Sequence, residues 1–214
     1  MADFKRYPDR RKFSDAVHSN IAPKVYQYLG WELDNVRDED YRRNADLTDG
    51  IDYYILVGGH HRTVQERFRR QSYARYNDIT FRYTYPDNTE DRKNSEWFKI
   101  TADYMIYGIA DTDTKDAEQI TRNNRFVKLA VIDLRRFSLL VDEGKIAVGN
   151  SRQSEFRNGI LIGGLQRNKK YAGDNPSTFA VFDVRDLFKV NSDLIILEKG
   201  YGTSKDLTGK DIDF

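Results

Sequence analysis

The sequence predicts an α+β fold, a mixed β-sheet core flanked by helices with an irregular C-terminal part. Three observations predict it. Val17, Ile21, Val25 and Leu29 recur every four residues, the spacing of one helix face. Segments such as Ile51–Val57 and Phe126–Leu134 are short and rich in β-branched and aromatic residues, as strands are. With 12 Phe, 14 Tyr and 2 Trp in 214 residues, there is enough apolar bulk to bury a core.

The helical stripe predicts a helix over 13–29, with Ser14 as a cap, Gly30 as its stop and Pro23 as a place to kink or restart. A short strand over 31–36 and a polar loop over 37–49 follow. Ile51–Val57 and Thr63–Arg69 read as a hairpin turned at Gly58-Gly59. Residues 79–85 alternate Ile79, Phe81, Tyr83 and Tyr85 on one side and read as a third strand, followed by a loop over 86–96. Further strands are expected within 97–109 and over 126–134, then a short helix over 135–143. A strand and a short helix are expected in 178–190, and a last strand over 194–197. No repeat or low-complexity linker divides the chain, so it reads as a basic, irregular arm over 1–12 and one domain over 13–214 with a C-terminal extension.

The charge totals, 35 basic against 34 acidic, conceal blocks. Residues 5–12 carry five basic groups and one acid, and residues 62–75 carry five arginines and one acid. Between them lies an acidic stretch over 32–52. One reading is solvated surface with ordinary ion pairs; the other is a polyanion-binding face beside an acidic metal site, where the planar guanidinium suits phosphate oxygens. The absence of cysteine excludes disulfides, thiolate zinc sites and a thiol nucleophile. Neither a signal-peptide pattern nor a membrane-spanning apolar run occurs, so a cytoplasmic protein without a membrane partner is expected.

The chemistry concentrates on the hairpin. Alternation puts Thr63, Gln65, Arg67 and Arg69 on one face and Val64, Glu66 and Phe68 on the other. Asp52, at the start of the preceding strand, folds back beside Gln65 and Arg67. A carboxylate, an amide oxygen and a nearby cation are the parts that hold Mg²⁺ against a phosphodiester: the ion takes hard oxygen ligands and activates water, and a cation steadies the phosphate.

A helix followed by Gly50-Ile51-Asp52-Tyr53-Tyr54, then Thr63-Val64-Gln65-Glu66-Arg67-Phe68-Arg69, resembles the PD-(D/E)XK nuclease superfamily over roughly residues 13–135, and Lys99–Gly108 is similar to the strand that follows the motif. The resemblance implies a restriction-endonuclease-like fold, Mg²⁺-dependent cleavage of DNA (Mn²⁺ as substitute) and a double-stranded substrate, with a homodimer as a further expectation. Asp52 matches the metal-binding aspartate, Gln65 the second acidic position and Arg67 the lysine. Ile51 stands for the proline, Gln65 for an acid and Arg67 for a lysine; arginine cannot accept a proton near neutrality. Glu66 supplies the missing metal-binding carboxylate if a bulge turns it inward. Arg62, Arg69 and Arg70 become backbone-phosphate contacts. Asp15 is the helix acid, either completing the site or favoured by the helix dipole.

The alternative is a nuclease-fold protein without catalysis, serving as a nucleic-acid-binding or protein-interaction module; the Gln65 and Arg67 replacements motivate it. A weaker one is an unrelated interaction module. His60-His61 reads as a polar turn, Asp103 as a structural carboxylate, and Asp111 and Asp113 lack an EF-hand pattern. Tyr73, Tyr76, Tyr83 and Tyr85 lie near arginines and suit base stacking as well as sheet packing.

Overall fold

The computed structural model describes residues 7–34, 51–84, 95–167, 178–208, 210 and 214, the side chains of 7–10 and 84 excepted. Among these are four helices, α1 (Tyr7–Asn20), α2 (Ala22–Leu29), α3 (Leu134–Asp142) and α4 (Val184–Val190). The strands are β1 (Glu32–Leu33), β2 (Tyr53–Val57), β3 (His60–Arg69), β4 (Asp78–Thr84), β5 (Tyr104–Ala110), β6 (Phe126–Asp133), β7 (Ile146–Val148), β8 (Glu155–Arg157), β9 (Ile160–Arg167), β10 (Thr178–Asp183) and β11 (Ile195–Lys199). They form two mixed sheets. The first runs β1-β2-β3-β5-β6-β11, with only β3 and β5 parallel. The second runs β4-β10-β9-β7, with β8 also on β9 and only β7 and β9 parallel. The protein is therefore mixed α+β. No described helix is long and apolar enough to cross a membrane.

Several expectations are corrected. The helix over 13–29 is two helices broken at Ile21, because Pro23 has no N–H to donate and sits instead in the first turn of α2. Gly30 ends α2 at φ 66°, where its N–H meets the carbonyls of Tyr26 and Gln27. Residues 7–12 are helical where an irregular arm is expected, so Ser14 lies inside α1 and does not cap it. Segment 97–109 contains the expected strand, β5, after a 3₁₀ turn (Glu96–Lys99). β4 is not a member of the central sheet: it pairs with β10. The C-terminal part is not irregular, since β7 to β10 build most of the second sheet. The loops expected over 37–49 and 86–94, residues 35–36 of the first strand, residues 1–6 and Tyr85 lie outside the described residues.

Every residue of β5 is buried, the signature of a strand covered on both faces. On one face Tyr104 and Ile106 join Val64, Phe68, Leu129 and Val131 beneath Phe13, Val17, Ile21 and Val25 of the helices. On the other, Met105, Tyr107 and Ile109 join Ala130 and Ile132 against Ile79, Phe81 and Phe182 of the second sheet, with Phe137 and Leu187 of α3 and α4. β3 lies beside β5, between the same two layers. Thr63 and Asp103 fix this parallel pairing reciprocally: Asp103 Oδ2 accepts from Thr63 N at 2.8 Å and Thr63 Oγ1 at 3.0 Å, and Asp103 N donates to Thr63 Oγ1 at 2.9 Å. Asp103 is thus the structural carboxylate expected.

Gly108 leaves room for the Phe126 ring, which also stacks on Phe68; a Cβ on Gly108 would lie 2.3 Å from Phe126 Cε1. Overpacking of this kind costs about 1–3 kcal/mol, so G108A should lower the denaturation midpoint in urea accordingly, with an unchanged midpoint as the contrary result.

Asp78 and Asp183 face each other across β4 and β10. Burial first, then the Asp183 charge, raises the Asp78 pKa to about 6. The folded state therefore holds this proton more tightly than the unfolded chain. The Asp78 contribution is most favourable below about pH 4 and is lost as pH rises to about 6. At pH 8, D78N should stabilise the fold by about 1–2 kcal/mol and remove that part of the pH dependence; urea titrations at pH 4.5 and pH 8 check both.

Candidate functional site

β3 carries polar side chains into both covered layers, and each finds partners there. On the helix side, Glu66 (side chain 5% exposed) accepts from His18 Nδ1 at 2.9 Å to Oε2 and from Tyr26 Oη at 2.7 Å to Oε1. His18, 16% exposed, stacks flat on Tyr53 with ring centroids 3.8 Å apart. Burial, followed by the Glu66 charge, raises the pKa of both Tyr26 and Tyr53, so each phenol stays protonated. On the opposite side, Glu96 collects Gln65 and Arg67. Gln65 Nε2 donates to Glu96 Oε1 at 2.7 Å, Arg67 Nη2 donates to Glu96 Oε2, and Arg82 N donates to the same oxygen at 2.7 Å. Arg67 Nη1 also donates to the Thr80 carbonyl at 2.9 Å, tying β3 to the second sheet.

Asp52 stands between these two clusters. Its Oδ2 accepts from Glu66 N at 2.6 Å, and its own N–H donates to the Val64 carbonyl at 3.0 Å. The carboxylate thus extends the β2–β3 pairing one residue beyond Tyr53 and Val64. Its charge is felt by Tyr26 and Tyr53 on the helix side. The structure brings Asp52 to the main chain of Gln65-Glu66-Arg67, while the side chains of Glu66 and Arg67 point into different layers.

The other sequence candidates fall as follows. Arg62 is half-buried and donates to the His61 carbonyl. Arg69 donates from Nη2 to Thr80 Oγ1 at 3.0 Å, in the layer between the sheets. Arg70 donates from Nε to the Thr114 carbonyl and lies over the Phe13 ring. Asp15 is exposed on α1; its charge reaches Tyr53, yet it is His18, one turn later, that reaches Glu66. His60 and His61 open β3 and do not form its turn, and His61 pairs with Asp34 at 3.0 Å. Asp111 accepts from Asn124 Nδ2, and Asp113 accepts from Ser72 N, forty-one residues earlier in the chain.

Sequence reasoning missed His18, Tyr26 and Glu96. His18 follows Val17 in the buried stripe of α1, a position at which a polar residue must find a partner on the sheet; that signal was available. Glu96 had none, for it lies about thirty residues from its partners, at a loop end.

Oxygen donors of the kind Mg²⁺ takes are present at Asp52, Gln65, Glu66 and Glu96. Among the described residues, no three His, Asp or Glu side chains converge on one point. Joining Asp52 in an ion's shell requires Gln65 to turn from Glu96, or Glu66 from His18 and Tyr26. The donor set therefore fits in kind and needs a side-chain rearrangement in geometry. Comparison with protein-family models, curated proteins and solved structures yields no match to this chain.

The Arg67–Glu96 pair is shielded, with side chains 20% and 12% exposed. Removing one partner strands the other's charge. E96A should cost about 2–4 kcal/mol in urea unfolding, and the double variant E96A/R67M should recover part of it. Equal losses in the two variants would show that stranding the Arg67 charge carries no penalty.

Proposed function

We propose that the chain is a Mg²⁺-dependent endonuclease acting on DNA, built on a restriction-endonuclease-like core. One observation carries the reading: a hairpin holds the Asp52 carboxylate 2.6 Å from the main chain of Gln65-Glu66-Arg67, beside a leading helix. Asp52 and Gln65 would hold the ion, with Glu66 as the further carboxylate once it turns from His18 and Tyr26. When bound, the ion lowers the pKa of a water and offsets charge on the phosphate. Arg67 steadies the scissile phosphate and, being an arginine, takes no proton. The reading carries double-stranded DNA as substrate, a second copy of the chain as a partner, and a cytoplasmic location.

A second reading, a nuclease-fold binding module without turnover, is favoured by one specific observation: Gln65 and Arg67 are both engaged by Glu96. Supercoiled-plasmid cleavage in Mg²⁺, in Mn²⁺ and in EDTA separates the two. The nuclease reading expects nicking in either metal, none in EDTA, and a loss of at least 100-fold in D52A. A folded wild type that binds DNA without cutting it in either metal leaves the binding module; cutting unaffected by D52A rejects the site.

A further inference from the structure

The geometry points to β8 as the surface on which a second copy of this chain docks, the two β8 strands pairing antiparallel across a twofold axis at Phe156. The inference rests on the reading above for the homodimer, while the choice of strand rests on the hairpin alone. β8 (Glu155–Arg157) and the start of β9 form a hairpin turned at Asn158-Gly159, whose φ of 52° and 80° fit the tight turn that matches strand twist. Every residue from Glu155 to Ile160 is exposed, Phe156 by 40% and Ile160 by 39%. Among the described strands, β8 alone has all its residues exposed.

The outer edge of β8 presents main-chain groups. Phe156 lies opposite Leu161, whose N–H points away from β8 and donates to the Lys145 carbonyl at 2.9 Å. This is therefore a pair without ladder bonds, and the N–H and C=O of Phe156 point away from β9. Neither meets a partner among the described residues. An antiparallel copy centred on Phe156 exchanges both bonds there, each Phe156 N–H donating to the Phe156 carbonyl of the other chain. The strand is held ready for this. Ser154 Oγ accepts from Asp183 N at 2.9 Å and donates to Asp186 Oδ2 at 3.3 Å, which ties the start of β8 to α4. A fixed strand loses little freedom on pairing.

The charges select the occupant. In an antiparallel pair centred on Phe156, Glu155 of each chain lies opposite Arg157 of the other, and the two Phe156 rings meet on one face. Neither Glu155 nor Arg157 has a side-chain hydrogen bond or ion pair among the described residues, so both are available. Charges on an edge deter strands that do not match them. Glu-Phe-Arg is its own complement when read in reverse, so the strand that matches β8 is another β8. The other sheet edges offer less. β1 has two residues, and β7 exposes only Ala147. β11 is bridged to Asp206 at Glu198, and β4 is covered where Arg82 N and the Tyr83 carbonyl bond Glu96 and Ser95.

The test is sedimentation velocity of the full-length chain, without DNA, over about 1–300 μM. So short a seam makes a weak dimer, and the wild type should pass from monomer toward dimer within that range. E155R sets arginines opposite one another and R157E sets acids opposite one another; each should weaken self-association at least about 10-fold. An equimolar mixture of the two variants restores opposite charges at both pairs and should associate within about threefold of wild type. F156P removes both main-chain donors at an edge position where proline spares the β9 ladder, and should abolish association; circular dichroism checks that the variants fold. A wild type that stays monomeric, unchanged association in E155R or F156P, or no recovery in the mixture overturns the proposal. Dimers that fail to cut plasmid in Mg²⁺ or Mn²⁺ overturn only the nuclease reading; cleavage by a chain that stays monomeric overturns only the dimer.

Discussion

The Glu96 carboxylate accepts hydrogen bonds from a glutamine, an arginine and a main-chain N–H, and the placement of β3 depends on it. Little water reaches the polar groups of β3 in these layers, where the Arg67 and Glu96 side chains are 20% and 12% exposed. A buried guanidinium without a counter-charge costs several kcal/mol, more than the surrounding apolar contacts of one residue return. Arg67 can occupy the layer between the sheets because Glu96 arrives there from the turn before β5, already oriented by Arg82 N. The same carboxylate fixes Gln65, and the Thr80 carbonyl takes the remaining reach of Arg67. The contact is thus a joint between the two sheets as well as a charge pair.

The helix side solves the same problem with different chemistry. Glu66 has no arginine opposite it; an imidazole and a phenol supply its donors. Tyr53 covers the other face of that imidazole, so α1, α2, β2 and β3 meet at one polar point inside an otherwise apolar interface. Asp52 completes the arrangement in the plane of the sheet, where it takes the N–H of Glu66 that β2 is too short to bind. The two polar clusters are therefore neighbours through the backbone and strangers through their side chains, as a period of two residues requires.

How much of this was legible follows from range. The hairpin was, because Gly58 and Gly59 both take positive φ, 56° and 80°, which few other residues adopt. So was the division of Gln65 and Arg67 from Glu66, since alternation is local. The helix break at Pro23 was flagged by the residue itself. The second sheet was not legible: β4 pairs with β10 about a hundred residues later, and β7 and β8 are three residues each, too short to show a period. The face bearing Gln65 and Arg67 read as open to a ligand because nothing local announced the layer that covers it. Of the candidate site, Asp52 beside β3 was visible in the sequence, and the partners Glu96 and His18 were not paired to it by any spacing rule.

Those partners set the energetic terms on which β3 can act on a ligand. Turning Gln65 toward Asp52 breaks its bond to Glu96, and drawing Arg67 away strands that carboxylate; each step alone is uphill. In the nuclease reading, an arriving phosphate would change the balance, because its oxygens would replace Glu96 as acceptors for Arg67, and a dication would offer the freed carboxylate a counter-charge. The two exchanges compensate one another only if they occur together. A site of this kind would stay closed to either ligand singly and open to both at once. In the binding-module reading, by contrast, Glu96 keeps Arg67 permanently, and nucleic acid meets only cations outside the layer, such as Arg75. The difference lies in whether one ion pair between two sheets can be traded, and the flanking contacts of Arg67 with Thr80 and of Glu96 with Arg82 N make that trade harder than the pair alone would.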